Sequence, residues 1–148
     1  MTIKRNFVKY WIPVILWMSI IIWMSTETFS PEHTASVIEP FFRLIVPRTS
    51  PQQINFIHAL LRKVSHVAEY FVLSLLLFRA FRGDSAASWH WRWSFLALVI
   101  VILSAFLDEF HQSLVPTRTS AITDVAIDMA GGGIAQLLTI LWHTPGKK

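Results

Sequence analysis

The chain has 148 residues, 53% of them hydrophobic and 15% charged, with a mean hydropathy of +0.49. A soluble domain carries about 25% charged residues, so this composition excludes an ordinary water-soluble globule and points to a bilayer. The absence of cysteine removes disulfides, thiolate metal sites and cysteine nucleophiles, and the net charge of +4 comes from basic residues scattered between apolar blocks, a pattern of membrane topology and not of nucleic-acid binding.

The first apolar block, over residues 10–26, follows the basic residues Lys4, Arg5 and Lys9. It ends in Trp23-Met24-Ser25-Thr26-Glu27 with no small-x-small cleavage site, so it is expected to be an uncleaved first span and not a signal peptide. Pro13 is expected in its first turns, where a missing N–H costs least. Ser30-Pro31-Glu32 then signals a helix start, and Val37, Ile38, Phe41, Phe42 and Ile45 recur at helical spacing. That stretch is too short to cross a bilayer and is expected to lie along the outer surface as an amphipathic helix ended by Pro47. Ser50-Pro51 is a second capping signal, starting a helix that can run on into the next span.

Three further spans are expected over residues 64–81, 93–110 and 121–142, the last with Gly131, Gly132 and Gly133 in its middle. Each approaches the ~20 residues needed to cross the hydrocarbon core. The expectation is an all-α membrane-embedded four-helix bundle, a single domain over residues 1–148, without repeats or low-complexity stretches. With the N-terminus inside, Lys4, Arg5, Lys9, Arg79, Arg82, Arg92, Lys147 and Lys148 are cytoplasmic, leaving Arg43, Arg48, Arg62, Lys63 and Arg118 outside. This bias places both termini in the cytoplasm of a cell-membrane protein, with Trp11, Trp89, Trp91, Trp93 and Trp142 as the inner aromatic belt and Trp23 at the outer one.

Ionisable residues interrupt the spans at related depths. Lys63, His66, Glu69 and Tyr70 occur at spacings of three and four and share a helix face. Asp108 lies one turn from His111 and Gln112, with Glu109 beside it, and Asp124 and Asp128 are again one turn apart. At a rise of ~1.5 Å per residue, Asp108 lies roughly 22 Å from Trp93 along its helix and Asp128 roughly 20 Å from Trp142. All three groups therefore meet in the outer third of the membrane. Ionisable groups at such depth are costly and face a bundle interior or an aqueous cavity.

These residues carry a resemblance. Lys63-Val-Ser-His66-Val-Ala-Glu69-Tyr70, then Asp108-Glu109-x-x-Gln112, Pro116-x-Arg118 and Asp124-x-x-x-Asp128 with its glycine-rich continuation resemble the ordered elements of the VanZ-like family over residues 8–142. Val67 and Thr117 stand where Phe and Gly are more usual. The resemblance implies a four-span bacterial envelope protein; the family is named for a member associated with reduced susceptibility to teicoplanin-type glycopeptides.

Candidate catalytic residues are His66, Glu69, Asp108, Glu109, Asp124 and Asp128, since close carboxylates beside histidine suit acid–base chemistry. Asp108 and Glu109 diverge by about 100° on a helix, so one is expected to face the second span and the other Arg118. Candidate ligand-binding residues are Lys63, Tyr70, Gln112 and Arg118, the arginine suiting an anion. The expected partner is a membrane lipid headgroup or a lipid-linked cell-wall molecule. The rival reading is an assembly or binding factor whose Lys63, Arg118, Asp124 and Asp128 pair as internal glue; a proton-coupled carrier is a third. His66-x-x-Glu69 and Asp108-x-x-His111 have the spacing of half-sites for paired metals, but the bridging glutamates of such centres are missing, so no metal is assigned. No serine elbow, phosphate loop or zinc-hydrolase signature marks an enzyme, and no cofactor is implied.

Overall fold

A computed structural model describes residues 2–26, 36, 39–40, 42–46, 50–116 and 121–143. Its elements in chain order are α1 (Thr2–Met24), α2 (Pro51–Arg82), α3 (Trp91–Ser113) and α4 (Ile122–His143), with no strand among the described residues. Each of the four helices is long and apolar enough to cross a bilayer.

Local chemistry sets the ends of α2. The Ser50 side chain accepts from the Gln53 N–H at 3.3 Å, and Gln53 Oε1 accepts from the Ser50 N–H at 2.9 Å, a complete capping box with Pro51 in the first turn. At the other end Gly83 adopts φ +54°, and its N–H donates to Arg79 O at 3.0 Å. The 32 residues between span roughly 48 Å, more than the ~30 Å hydrocarbon core. The helix that begins at Pro51 thus runs unbroken through residues 64–81, the continuation that the Ser50-Pro51 signal allowed.

Pro13 departs from expectation. Because α1 starts at Thr2, Pro13 lies in the helix interior and not in the first turns. The helix continues through it, leaving the Lys9 carbonyl without its usual i+4 donor. The expected surface helix over Val37 to Ile45 falls largely outside the described residues, which exclude Val37, Ile38 and Phe41. Residues 42–45 are helical, Arg43 pairs with Glu39 at 2.7 Å, and Leu44 and Ile45 are exposed.

α2 packs against each of the other three helices, and α4 also packs on α3. The bundle is inverted relative to a soluble protein: Ile15, Leu16, Ile22, Phe106, Leu107, Phe110, Leu137 and Leu141 are exposed, where lipid solvates them. Leu73, Leu77, Ala97, Val101, Ala105 and Ala135 fill the interior. At one end Lys9 pairs with Asp84 at 3.0 Å, Tyr10 donates its hydroxyl to the same carboxylate, and Ser88 Oγ donates to His143 O at 3.4 Å. The start of α1, the α2–α3 loop and the end of α4 therefore share one membrane face. Trp11 packs edge-on against Phe81 and Trp93 against Phe78 there, as an interfacial belt requires.

Two of the three consecutive glycines allow close helix packing. A Cβ on Gly131 would lie 2.4 Å from the Val67 carbonyl oxygen, and one on Gly132 would lie 2.6 Å from a Val101 methyl. Nothing lies within 4 Å of a Cβ on Gly133. Gly131→Ala should force α2 and α4 apart and cost about 1–3 kcal/mol. Gly133→Ala should be neutral or stabilise by up to about 1 kcal/mol through helix propensity. Unfolding of both variants in detergent micelles measures the difference.

Candidate functional site

The site grows from the way α2 and α4 lie side by side. Arg62 donates to Asp124 Oδ2 at 2.8 Å, His66 Nδ1 lies 2.9 Å from Asp128 Oδ1, and Gln136 Nε2 donates to Ser74 Oγ at 2.8 Å. Each pair is separated by 62 residues, so the two helices run parallel in constant register. Every contributing residue on a helix is a multiple of four from the next, which places Arg62, His66, Tyr70 and Ser74 on one ridge and Asp124, Asp128, Gly132 and Gln136 on the other. Gly132 stands opposite Tyr70, and its carbonyl accepts from Ser74 Oγ at 3.0 Å.

α3 closes the site from the side. Gln112 Nε2 donates to Asp108 Oδ2 at 2.9 Å, while Gln112 Oε1 accepts from Arg62 at 3.3 Å. Glu109 turns the other way: its Oε2 accepts from the Ala121 N–H at 2.7 Å, at the entrance of α4. An acid is favoured there by the free N–H groups of the helix terminus, as is Asp124 in the first turn. His111 Nδ1 meets Ser25 Oγ at 3.2 Å and fastens the end of α1 to α3. Trp17 Nε1 adds a bond to the Glu69 carbonyl at 2.9 Å.

Of the residues expected from sequence, His66, Glu69, Tyr70, Asp108, Glu109, Gln112, Asp124 and Asp128 are all buried. Asp108 and Glu109 diverge as expected, but Glu109 takes the α4 entrance as its partner; Arg118 lies outside the described residues. Lys63 is exposed and does not join the cluster. Arg62 does, because it stands four residues before His66, one turn along the same ridge. Ser25, Ser74 and Gln136 were also not singled out from sequence. The spacing of four that links Ser74 to Tyr70 and Gln136 to Gly132 was the available signal for the last two.

Buried atoms without a hydrogen-bond partner among the described residues include Tyr70 Oη, Glu109 Oε1, Asp128 Oδ2 and Gln136 Oε1. Native interiors rarely leave such atoms unmatched without a functional reason. Tyr70 lines a cavity of about 220 Å³ between α1, α2 and α3. Its walls include Met18, Ile21, Ile22, Leu73 and Leu107, with Tyr70, Asp108 and His111 as polar groups. Ile22 and Leu107 are 58% and 66% exposed, so the cavity opens sideways, toward lipid.

The model of the VanZ/LLP1 family matches residues 10–143. The chain belongs to that family. The matched region takes in the paired ridges, the α3 residues and the cavity of this VanZ/LLP1 protein. No curated protein and no solved structure matches the chain.

The Arg62–Asp124 pair should couple by roughly 0.5–3 kcal/mol in a double-mutant cycle of Arg62→Gln and Asp124→Asn, read as unfolding free energies in micelles. Each single change leaves a partly buried charge without its partner and should destabilise more than the pair removed together. Lys63→Gln, next in sequence but exposed, should stay within about 0.5 kcal/mol of the parent.

Proposed function

We propose that this VanZ/LLP1 protein is a multi-pass protein of the bacterial cell membrane, with both termini in the cytoplasm, that binds or acts on a polar headgroup in the outer leaflet. The headgroup belongs to a membrane lipid or a lipid-linked cell-wall molecule, and engaging it lowers susceptibility to teicoplanin-type glycopeptides. The observation that supports this reading best is the sideways cavity. Apolar walls suit an acyl or prenyl chain arriving from the bilayer, while Tyr70, Asp108 and His111 meet the polar end. The orientation rests on the excess of Lys and Arg at the membrane face shared by the start of α1, the α2–α3 loop and the end of α4.

His66 and Asp128 set a nitrogen and a carboxylate oxygen at hydrogen-bond distance in a buried setting, which suits proton transfer while no ion lies between them. Gln112 and Arg62 act as positioning residues, holding Asp108 and Asp124. The rival reading, an assembly factor whose polar cluster is internal glue, draws on the closed Arg62–Asp124 and Ser74–Gln136 contacts. It does not account for the unmatched Tyr70 hydroxyl, which a ligand in the cavity would match.

His66→Gln, Asp108→Asn and Tyr70→Phe separate these readings. In a deletion strain complemented with each variant, membrane abundance should match the parent while teicoplanin susceptibility rises toward the deletion. Lipid mass spectrometry of the same strains should show altered headgroup species. Loss of abundance across all three would support internal glue, and parental susceptibility and lipids in all three would refute the headgroup reading.

A further inference from the structure

The chemistry of the site rests on what balances its carboxylates. Glu69, Asp108, Glu109, Asp124 and Asp128 are all buried. Arg62 answers Asp124, and the α4 entrance answers Glu109. Asp108 and Asp128 are left on the inner side of the cluster, facing His66. One donor atom from each of His66, Asp108 and Asp128 falls within 4.8 Å of the others, and all three side chains are buried.

We propose that His66, Asp108 and Asp128 bind a divalent transition-metal ion of the zinc or manganese class. Donor atoms held about 2.1 Å from one ion lie roughly 3.0–3.4 Å apart at ordinary coordination angles. His66 Nδ1 and Asp128 Oδ1 are already 2.9 Å apart, and a carboxylate oxygen of Asp108 is within 4.8 Å of donor atoms of both residues. A dication with one neutral imidazole and two carboxylates makes an electrically neutral unit, which is what a membrane interior favours. Nitrogen in the donor set favours a transition ion over magnesium or calcium, which take oxygen ligands.

Two independent observations point to a ligand here. Asp128 is fully buried, yet its Oδ2 has no partner among the described residues. Tyr70 is equally buried, its hydroxyl is unmatched, and it shares a cavity wall with Asp108. An outer layer of the kind that orients metal ligands is also in place: Gln112 holds Asp108, Arg62 holds Gln112, and Asp124 holds Arg62. Three protein ligands leave a coordination position open, and the cavity beside Asp108 is where a headgroup oxygen would reach it. In that last respect the inference extends the headgroup reading; metal binding itself does not depend on it.

The test uses the full chain in a mild detergent, stripped with a chelator and titrated with Zn²⁺ or Mn²⁺ alone. The parent should take up about one ion per chain and gain thermal stability on binding. His66→Gln, Asp108→Asn and Asp128→Asn should each weaken binding by more than the roughly 10–100-fold carried by outer-layer partners, and Gln112→Ala should fall inside that range. His143→Gln, at the far end of α4, should bind as the parent does. Should a ligand variant fail to fold, the folded Gln112→Ala and His143→Gln variants decide: weaker binding in the first alone supports the site, and equal binding by both overturns it. Binding of neither ion by the folded parent, or equal binding by the three ligand variants, overturns the metal site. Altered headgroup lipids in the deletion strain would then still stand, because that measurement does not involve the ion.

Discussion

The parallel contact between α2 and α4 is the constraint from which the rest of the molecule follows. Parallel helices in a four-span chain are not neighbours in sequence, so no short turn holds them in register. The register comes from the side chains: Arg62 with Asp124, His66 with Asp128, and Ser74 with Gln136, at a constant separation. Between hydrocarbon-facing helices there is little hydrophobic gain from association, since lipid tails solvate leucine as well as another helix does. Close backbone approach and hydrogen bonds must carry the contact instead. Gly131 lets the Val67 carbonyl come near, and the polar pairs then fall at matching heights.

That arrangement explains how so many acids can coexist in one part of a membrane protein. Four of the buried carboxylates have different physical answers: a guanidinium for Asp124, an imidazole for Asp128, an amide for Asp108 and a helix entrance for Glu109. The location at the start of α4 matters, because Asp124 and Glu109 both benefit from the unpaired N–H groups there. The same acids at the far end of α4 would meet carbonyls and be repelled. Stability and function draw on the same groups, yet unevenly, since the Ser74–Gln136 contact fastens the helices a turn beyond the titratable residues.

Much of this was legible in the sequence, for reasons that can be stated. Helical periodicity identified His66, Glu69 and Tyr70 as one buried group and Asp124 with Asp128 as another, because a spacing of three or four fixes a face wherever a helix is long. Depth along each span brought the groups to one level. Arg62 was lost because a basic residue just before an apolar block also reads as a topology anchor, and nothing in the local pattern separates that role from a buried ion pair. Lys63, one residue on, has the same composition signal and ends up exposed. Pro13 misled in a different way: the apolar block marks where the bilayer starts, whereas the helix starts earlier, at Thr2. Glu109 shows a third limit, since a helical wheel gives the direction of a side chain but not the free N–H of a following helix that it meets.

A spacing of four along both ridges has a further consequence for where the ligand-facing groups lie. Successive residues four apart drift slowly around a straight helix, since four residues exceed one turn by about 40°. A ridge of this length therefore presents its residues to more than one neighbour. On α2, Arg62 reaches both α4 and Gln112 of α3, His66 meets α4, and Tyr70 lines the cavity shared with α1 and α3. On α4 the residue at the same height, Gly132, directs its Cα toward Val101 of α3 and not toward the phenol. The unmatched hydroxyl is thus not an accident of packing at one residue. It lies where α2 turns a ridge residue toward α1 and α3, on the wall of the cavity between those three helices.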